Sequence, residues 1–549
     1  MKLCFYPPIK RLCLAIALLT LILLVGQSQV DLPALAHGAG STALINVNVI
    51  PMDTERVLEN HVVVVENGII TAVGLVDEVT IPDGSEIIAG QGGYLMPGLA
   101  DMHMHLQTKE AYHDPEQLLF FLSQGTTTIR SLGTAPEAYP WREQVERGEM
   151  IGPSIYLMGR TLMGNYENFS GMGMLITLIN IARLLTPLLL GLVLYIGFKP
   201  LRSRRNIIIG GGIFLLLGVG LVLTKTPPFM IAAPSGSDAY IVENIRQINA
   251  ELNRQQEWDV DGVKLYDGLT ETQYLAAVAE AHQRGFYVTG HLLDQSALDV
   301  QLTSGINEIA HIDEFLSYHW IGYNLGNDPD PDYAENNNFP IDYERIPQTV
   351  ALVAKNDVGV VSNLSADEAI FNLILDTEGT LAHPEYKFGN PNLVASWHTE
   401  GRHLTSFVNQ GEYRQDEVQP FLLTLIKALY VEGVTIILGT DAGGSRPEGS
   451  LPGHIHRELE LLVNAGFSNY EALAAGTKNA SIVVKRMGRN GNFGTIAVGQ
   501  RADFILLTAN PLENVSATRD RLGIMANGNW YLQSDLDRIL ADYISLQDR

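Results

Sequence analysis

Between residues 94 and 441 the hydrophobic positions of the chain follow two alternating patterns. Short runs rich in branched and aromatic residues, typical of buried strands, each end near a polar residue. Stretches with the helical period lie between them, at residues 116–124, 271–283 and 419–432. The pattern predicts eight strands, at residues 94–105, 126–132, 154–159, 262–266, 287–291, 306–311, 359–363 and 435–441. Because strands and helices alternate, we expect an α/β fold, a (β/α)8 TIM barrel.

Turn-rich, strand-like pieces flank the predicted barrel at both ends, with turns at Asn67-Gly68 and Asn527-Gly528. We expect these pieces to form one small β-sandwich domain made from both termini. The predicted organisation is a signal peptide or N-terminal membrane anchor at 1–36, β-domain parts at 41–92 and 491–535, a barrel at 93–170 and 227–490, and an inserted helical hairpin at 171–226.

Three strongly apolar segments predict contact with a membrane. Residues 12–25 follow a basic start, as in an export signal. Residues 172–198 and 207–223 are each about long enough to cross a hydrocarbon core of roughly 30 Å, and a basic connector at 199–205 separates them. They predict a transmembrane hairpin within a βα loop, with a buried globular hairpin as the alternative. A basic connector stays cytoplasmic, so we expect a membrane-associated protein with an extracytoplasmic catalytic domain, contacting lipid through residues 171–226.

Composition narrows the classes of partner and chemistry. The formal net charge of -25 repels phosphate backbones, so we expect no nucleic acid partner. The two cysteines, Cys4 and Cys13, both lie near the start of the chain, which excludes a cysteine nucleophile or a thiolate metal site in the predicted barrel. A small-molecule substrate is the partner that we expect, and oligomerisation stays open.

Candidate metal ligands lie at the ends of the predicted strands. His103 and His105 close the first strand, and residues two apart on a strand point to the same face, so both imidazoles can reach one cation. Four further residues end strands four, five, six and eight: Lys264, His291, His311 and Asp441. Since active sites of such barrels lie at the carboxyl ends of the strands, these side chains predict one preformed site for zinc or a similar divalent ion.

Longer motifs surround these residues: Met-Pro-Gly-Leu-Ala-Asp-Met-His-Met-His at 96–105, Val-Lys-Leu-Tyr at 263–266, Gly-Thr-Asp-Ala-Gly at 439–443 and His-Arg-Glu-Leu-Glu at 456–460. With them the sequence resembles the amidohydrolase superfamily, in its prolidase-like and imidazolonepropionase-like branch. The resemblance implies that His103, His105 and Asp441 bind one metal and that His291 and His311 bind a second. It also implies that a carboxylated Lys264 bridges the two.

The state of Lys264 decides the number of metals. A protonated ammonium cannot ligate a cation, so this lysine either becomes a carbamate or stays outside the coordination sphere. We expect two zinc ions bridged by carboxylated Lys264, or one metal if the lysine is unmodified. A water between the cations would become a hydroxide nucleophile, and Asp441 would take its proton and deliver it to the leaving nitrogen.

The predicted function is a metal-dependent hydrolase that cleaves an amide-like C–N bond in a dipeptide, an N-acyl amino acid or a cyclic amide. Hydrolysis of an ester or phosphotriester on the same site is an alternative, as is a membrane-anchored binding protein without turnover. Three residues are weaker candidates for substrate binding. Tyr266 shares a face with Lys264, Arg130 ends strand two but could form an internal salt bridge, and His456 begins a helix where packing is an equal alternative.

Overall fold

The computed structural model describes residues 40–106, 116–164, 239–320, 340–383, 386, 394–395, 397–398, 415–443, 451 and 453–547. The predicted N-terminal signal or anchor at 1–36 and the predicted transmembrane hairpin at 171–226 lie outside these residues. All statements on structure below concern the described part of the chain.

The prediction of a membrane-associated location is wrong, because the described helices do not support it. None of them is both long and apolar enough to cross a membrane. The longest, at Gln415–Val431, has 17 residues. At a rise of about 1.5 Å per residue it measures roughly 25 Å, less than the apolar thickness of a bilayer.

One mixed sheet combines strands from both ends of the described chain. Its strands are β1 (Ser41–Val49), β2 (Leu58–Glu66), β3 (Ile69–Leu75), β4 (Glu86–Ala89), β5 (Tyr94–Pro97), β16 (Phe504–Leu507), β17 (Arg521–Ala526) and β18 (Asn529–Leu532). Their order is β18-β17-β16-β5-β1-β2-β3, and β4 pairs with β1. The antiparallel pair of β5 and β16 joins the two ends, with Met96 opposite Ile505. The boundaries of the predicted domains stay a prediction.

Two parallel sheets follow in the middle of the chain and give the molecule its α/β fold. The first contains β6 (Leu99–Met104), β7 (Thr126–Ser131) and β8 (Ser154–Leu157) in that order. The second has the order β10-β9-β11-β12-β13-β14-β15, with β9 (Thr161–Gly164), β10 (Ala239–Val242), β11 (Gly262–Leu265), β12 (Tyr287–Gly290), β13 (Glu308–Ile309), β14 (Gly359–Val361) and β15 (Ile436–Ile437). Every pairing within both sheets is parallel.

Backbone hydrogen bonds link the two parallel sheets at both edges of the first one. At one edge, the Met102 amide of β6 donates to Leu438, directly after β15, over 2.9 Å. At the other edge, the Asp261 amide before β11 donates to Leu157 at the end of β8 over 2.7 Å. The carboxyl ends of β6 and β15 therefore lie side by side.

The predicted first strand, 94–105, is divided in two at Gly98. Residues before it belong to the mixed sheet and residues after it to the first parallel sheet. A Cβ atom at Gly98 would lie 2.2 Å from the hydroxyl oxygen of Thr127. Only glycine allows this close approach, which lets the chain pass directly from one sheet to the other.

Helices connect the strands of the parallel sheets and cover them. They are α1 (Glu116–Ser123), α2 (Tyr139–Glu146), α3 (Ile245–Glu257), α4 (Glu271–Gln283), α5 (Leu298–Leu302), α6 (Ile346–Lys355), α7 (Leu364–Leu375), α8 (Thr377–Leu381), α9 (Gln415–Val431), α10 (His454–Asn464), α11 (Asn469–Ala475), α12 (Lys478–Arg486) and α13 (Gln533–Gln547). Capping boxes fix the starts of two of them: Thr270 with Gln273 begins α4, and Ser468 with Glu471 begins α11.

Strands β6, β7, β8, β11 and β12 are buried along their whole length. This is the burial expected of parallel strands covered on both faces. Several polar residues are nevertheless fully buried on strands of the two parallel sheets, among them Asp101, His103, Arg130 and Glu308. Because buried polar groups need hydrogen-bond or ion-pair partners, these positions indicate polar clusters within the otherwise apolar sheets.

Candidate metal centre

The ends of β6 and β15 bring three predicted ligands together. The Asp441 amide donates to the His103 carbonyl over 2.7 Å, and the His105 amide donates to the Ala442 carbonyl over 2.8 Å. In this alignment Nε2 of His105 lies 2.8 Å and Nε2 of His103 lies 3.2 Å from the same carboxylate oxygen of Asp441. Three potential ligand atoms, from residues more than 330 positions apart along the chain, therefore face one point.

A buried carboxyl group, Asp101, holds this junction. The Thr440 hydroxyl donates to its Oδ2 over 2.6 Å, and the amides of Thr440 and His103 both donate to its Oδ1 over 3.2 Å. Burial raises the pKa of Asp101 to about 7, although the hydrogen bonds from Thr440 and His103 oppose that shift. Asp101 thus fixes the backbone next to a ligand candidate on each of two strands.

A second group contains His291, His311 and Glu314, whose potential ligand atoms lie within 4.8 Å of one another. Nδ1 of His291 lies 2.7 Å from Oε1 of Glu314, and Asp267 lies farther away at 3.6 Å. Burial lowers the pKa of His291, but the carboxylates of Glu314 and Asp267 outweigh it and raise the pKa to about 10. Nε2 of His291 is buried without a hydrogen-bond partner among the described residues.

The two groups adjoin each other, with Lys264 beside them. The ring centroids of His103 and His311 are 4.4 Å apart. Nζ of Lys264 lies 3.3 Å from Nε2 of His103, and this lysine is 2% exposed. All six ligand candidates from the sequence therefore lie in one place: His103, His105, Lys264, His291, His311 and Asp441.

Burial lowers the pKa of one histidine in each group. It holds the pKa of His103 and of His311 well below the usual value, and the charge of Lys264 adds to the shift at His103. Burial alone would raise the pKa of Asp441, but interactions with His103 and His105 hold it well below its usual range. Neutral imidazoles beside an ionised carboxylate form a donor set suited to a divalent cation such as zinc.

The tautomer of His103 follows from its backbone contact. Its Nδ1 lies 2.9 Å from the carbonyl oxygen of Ala310. A carbonyl only accepts hydrogen bonds, so Nδ1 carries the proton and Nε2 keeps its lone pair toward Asp441. Histidines that bind metals are usually held in this way, with the other ring nitrogen bonded to a backbone carbonyl or a carboxylate.

One of the three weaker candidates lies at this centre. The ring centroid of Tyr266 is 4.0 Å from that of His291. Arg130 instead forms a fully buried ion pair with Glu308, as in the alternative favoured by the sequence. His456 contacts the hydroxyl of Thr518 and the guanidinium of Arg521, neither of which is a ligand candidate.

Two further residues of this centre have sequence spacings that could have indicated them, although the strand pattern did not. Glu314 follows His311 by three residues, a spacing that returns to the same side of a helical turn. Asp101 precedes His103 by two residues on β6 and so shares its face. Their contacts depend on other strands, which the spacing alone does not identify.

The model of the Amidohydrolase family matches residues 94–531. The chain belongs to the amidohydrolase family. As an amidohydrolase it is an enzyme that acts on carbon–nitrogen bonds, which sets aside the alternative of a binding protein without turnover. The matched range includes every residue of the metal centre described above.

Solved structures share the fold of this amidohydrolase at low sequence identity. A bottromycin amidohydrolase is 17% identical with a TM-score of 0.61, covering 95% of this chain and 94% of its own. A Xaa-Pro dipeptidase with bound methionine is 17% identical with a TM-score of 0.56, covering 90% of this chain and 100% of its own. The A. niger ochratoxinase is 17% identical with a TM-score of 0.56, covering 90% and 96%.

A curated relative matches a short stretch more closely. The imidazolonepropionase of Bacillus cereus is 46% identical over 55 residues, which are 10% of this chain. The chain spans 13% of the length of that relative in the alignment. This similarity supports the family and does not transfer the activity of the relative.

Proposed function

We propose that this amidohydrolase cleaves an amide-like C–N bond of a small molecule at a centre of divalent cations held by His103, His105, Lys264, His291, His311 and Asp441. The observation that carries the proposal is the meeting of His103, His105 and Asp441 at one carboxylate oxygen, beside His291 and His311. The structural neighbours named as an amidohydrolase and a Xaa-Pro dipeptidase support an amide or imide bond as the target.

The residues present fit a pair of divalent cations. Nitrogen and carboxylate ligands suit zinc, and the buried Nε2 of His291, which has no hydrogen-bond partner among the described residues, can offer its lone pair to a cation when the proton is on Nδ1. Glu314 holds the opposite nitrogen of the same ring over 2.7 Å. This carboxylate–histidine pair is the support that metal-binding imidazoles commonly receive.

Lys264 fits the centre as a carbamate. An unmodified ammonium at 3.3 Å from Nε2 of His103 would place a positive charge where the cations are proposed to bind. Carboxylation by carbon dioxide replaces that charge with a carboxylate, which offers two oxygen donors. We therefore propose two zinc ions bridged by carboxylated Lys264.

Asp441 is the proposed proton carrier. Bound divalent cations would supply Lewis-acid polarisation of a carbonyl group and would lower the pKa of water. The low pKa of Asp441 keeps its carboxylate ionised, ready to accept a proton during attack on the carbonyl carbon. The same residue then delivers this proton to the leaving nitrogen, because an amine leaves more easily than its anion. Asp101 and Thr440 hold the backbone beside Asp441 during this transfer.

A closed barrel would place these residues at one mouth. We propose that the two parallel sheets form a single (β/α)8 barrel in the order β6-β7-β8-β11-β12-β13-β14-β15. The hydrogen bonds from Met102 to Leu438 and from Asp261 to Leu157 support this closure, because they join both edges of the first parallel sheet to strands of the second. All ligand candidates then lie at the carboxyl ends of strands, where barrel enzymes carry their active sites.

The test uses the purified full chain, first stripped of metal and then supplied with zinc and bicarbonate. Xaa-Pro dipeptides, N-acyl amino acids and cyclic amides are assayed beside esters of the same acids and a phosphotriester, with Asp441→Asn as the inactive control. We expect zinc-dependent release of the amine product from at least one C–N substrate class. Turnover restricted to esters or phosphotriesters, or turnover unaffected by metal removal, would contradict the proposal.

A further inference from the structure

A single amide side chain contacts one histidine from each of the two ligand groups. Asn363 follows β14 and is 1% exposed. The terminal amide atom placed as Nδ2, which can be exchanged with Oδ1 by a flip of the amide, lies 3.0 Å from Nδ1 of His103 and 3.0 Å from Nδ1 of His311. These are the only contacts of its amide that the described residues show. Asn363 was not among the residues singled out in the sequence.

The local backbone turns this side chain away from its usual partner. Asn363 stands directly before α7, where an asparagine side chain commonly accepts hydrogen bonds from the first helical amides. Here it makes no such bond, and its backbone is left-handed with φ of 43°. The carboxylate of Glu458 takes that position instead, because it accepts from the amides of Leu364 at 3.0 Å and of Ser365 at 2.6 Å.

The space for the amide is kept open by a glycine. A Cβ atom at Gly439 would lie 2.7 Å from Cβ of His103 and 2.8 Å from the amide atom of Asn363 that faces away from the two histidines. The end of β15 therefore approaches the amide and the first-strand histidine at backbone distance. The amide sits in a space that admits little movement.

The orientation of the amide follows from the tautomer of His103. Because Nδ1 of His103 bears a proton directed at Ala310, the amide atom beside that nitrogen must be an acceptor. The amide oxygen therefore occupies this position, since nitrogen and oxygen of an amide are assigned from their hydrogen bonds. The same oxygen then accepts from Nδ1 of His311, which leaves the lone pair of His311 on Nε2.

We propose that Asn363 is a positioning residue that fixes the tautomer and ring orientation of His311 for metal binding. His103 shares its proton between Asn363 and the Ala310 carbonyl, whereas Asn363 is the hydrogen-bond partner that the described residues show for His311. Loss of the amide should therefore weaken zinc binding by His291 and His311 more than zinc binding by His103 and His105. The inference rests on the proposed metal centre.

The test is a zinc titration of the metal-stripped full chain in bicarbonate buffer, followed by calorimetry and by competition with a chromophoric chelator. In Asn363→Leu, which keeps the shape but removes the acceptor, we expect one binding step to weaken about 10–100-fold. The other step should stay within about threefold of the wild type. His311→Ala and His105→Ala identify the steps, and Asn363→Leu should weaken the step that His311→Ala removes.

The conservative variant separates positioning from packing. Asn363→Asp retains an oxygen that accepts from both imidazoles, so it should restore zinc binding to within about threefold of the wild type. Thermal unfolding of the metal-free proteins reports whether each variant folds, and Asn363→Ala replaces Asn363→Leu if the latter does not.

Three outcomes would overturn the inference. Unchanged zinc binding in Asn363→Leu, or equal weakening in Asn363→Asp, would remove the positioning role and leave the metal centre intact. A wild-type chain that binds no zinc would instead overturn the proposed centre, and the positioning role with it.

Discussion

Two buried polar clusters lie within the parallel strands, and they differ in how completely the protein satisfies them. Arg130 and Glu308, both fully buried, form a two-pronged ion pair at 2.5 and 3.0 Å. Tyr287 and Thr289 donate to the same carboxylate, and the carbonyl of Met102 accepts from Nε of Arg130. In the metal centre, by contrast, imidazole and carboxylate donors converge and Nε2 of His291 has no described partner.

The comparison separates polar groups that stabilise the fold from polar groups kept for a ligand. A complete network rigidifies the strands, and breaking it leaves a buried charge unpaired. A network in which some polar atoms lack hydrogen-bond partners lowers stability. It is retained where function needs those atoms to bind a ligand. Changes in the first cluster should therefore affect unfolding, and changes in the second should affect metal binding and turnover.

The largest effect is expected from Asp441→Asn, which keeps the shape of the side chain but removes its ability to accept a proton. We expect kcat to fall about 10²–10⁴-fold. The unfolding midpoint of the metal-free protein should decrease slightly, because a pKa held well below its usual range means that the ionised Asp441 contributes to stability. Steady-state kinetics on a substrate found by the assay above, with denaturant unfolding in parallel, measures both. Turnover within tenfold of the wild type would mean that another group carries the proton.

Arg130→Met should produce the opposite pattern. It leaves Glu308 buried and unpaired, which we expect to cost about 3–5 kcal/mol of unfolding free energy. Zinc bound per folded molecule should stay at the wild-type value. Denaturant unfolding and elemental analysis provide the two measurements.

The double variant Arg130→Met with Glu308→Leu is the matched control for this prediction. Removing both charges should recover much of the lost stability, since no buried ion is then left unpaired. If Arg130→Met instead lost zinc and kept the stability of the wild type, Arg130 would belong to the metal centre. The distinction between the two clusters would then be wrong.

Substitution of Lys264 tests whether this lysine is one of the metal ligands. Lys264→Ala should lower zinc affinity at least about tenfold, or about 1.4 kcal/mol. Lys264→Glu supplies a permanent carboxylate and should retain more zinc than the alanine variant. Short-chain carboxylic acids added to Lys264→Ala should restore binding in part. Equal zinc affinity in both variants and the wild type would show that the lysine is not a ligand.

The smallest effect is expected at a partly exposed ion pair. Arg457 binds Glu368 with two hydrogen bonds of 2.6 and 2.7 Å, but its side chain is 36% exposed. Solvent screens such a pair, so Arg457→Ala should cost about 1 kcal/mol or less. Denaturant unfolding checks this value. A loss as large as that of Arg130→Met would show that exposure does not separate the two ion pairs.

The strand pattern predicted much of the fold because parallel strands covered on both faces are almost continuously apolar. The observed strands at Tyr287–Gly290 and Gly262–Leu265 lie within one residue of their predicted bounds. The pattern missed β9 and β10, and it joined β5 to β6. Gly98 separates those two strands through a contact with Thr127, and the contact depends on a neighbouring strand rather than on local hydrophobicity.

The candidate site could be predicted as far as its residues end strands. His103 and Lys264 lie next to the last residues of β6 and β11, Asp441 follows β15 by four residues, and parallel strands place such ends on the same side of a sheet. The supports of the site could not be predicted in the same way. Glu308 is 178 residues from Arg130, and Asn363 is 260 residues from His103. These pairs result from the arrangement of the strands, which a linear pattern does not encode.

The pairing of β5 with β16 joins two parts of the chain that the ribosome synthesises far apart in time. The strand that carries His103 and His105 follows β5 after one glycine, and β5 hydrogen-bonds β16 near the other end of the described chain. Helix α13 also reaches back to this region, since Gln533 donates to the carbonyl of Ser123 over 3.0 Å. During synthesis these contacts form only after residues beyond 504 have left the ribosome. An emerging chain therefore contains His103 and His105, the proposed metal ligands, long before it contains the strand that pairs with β5.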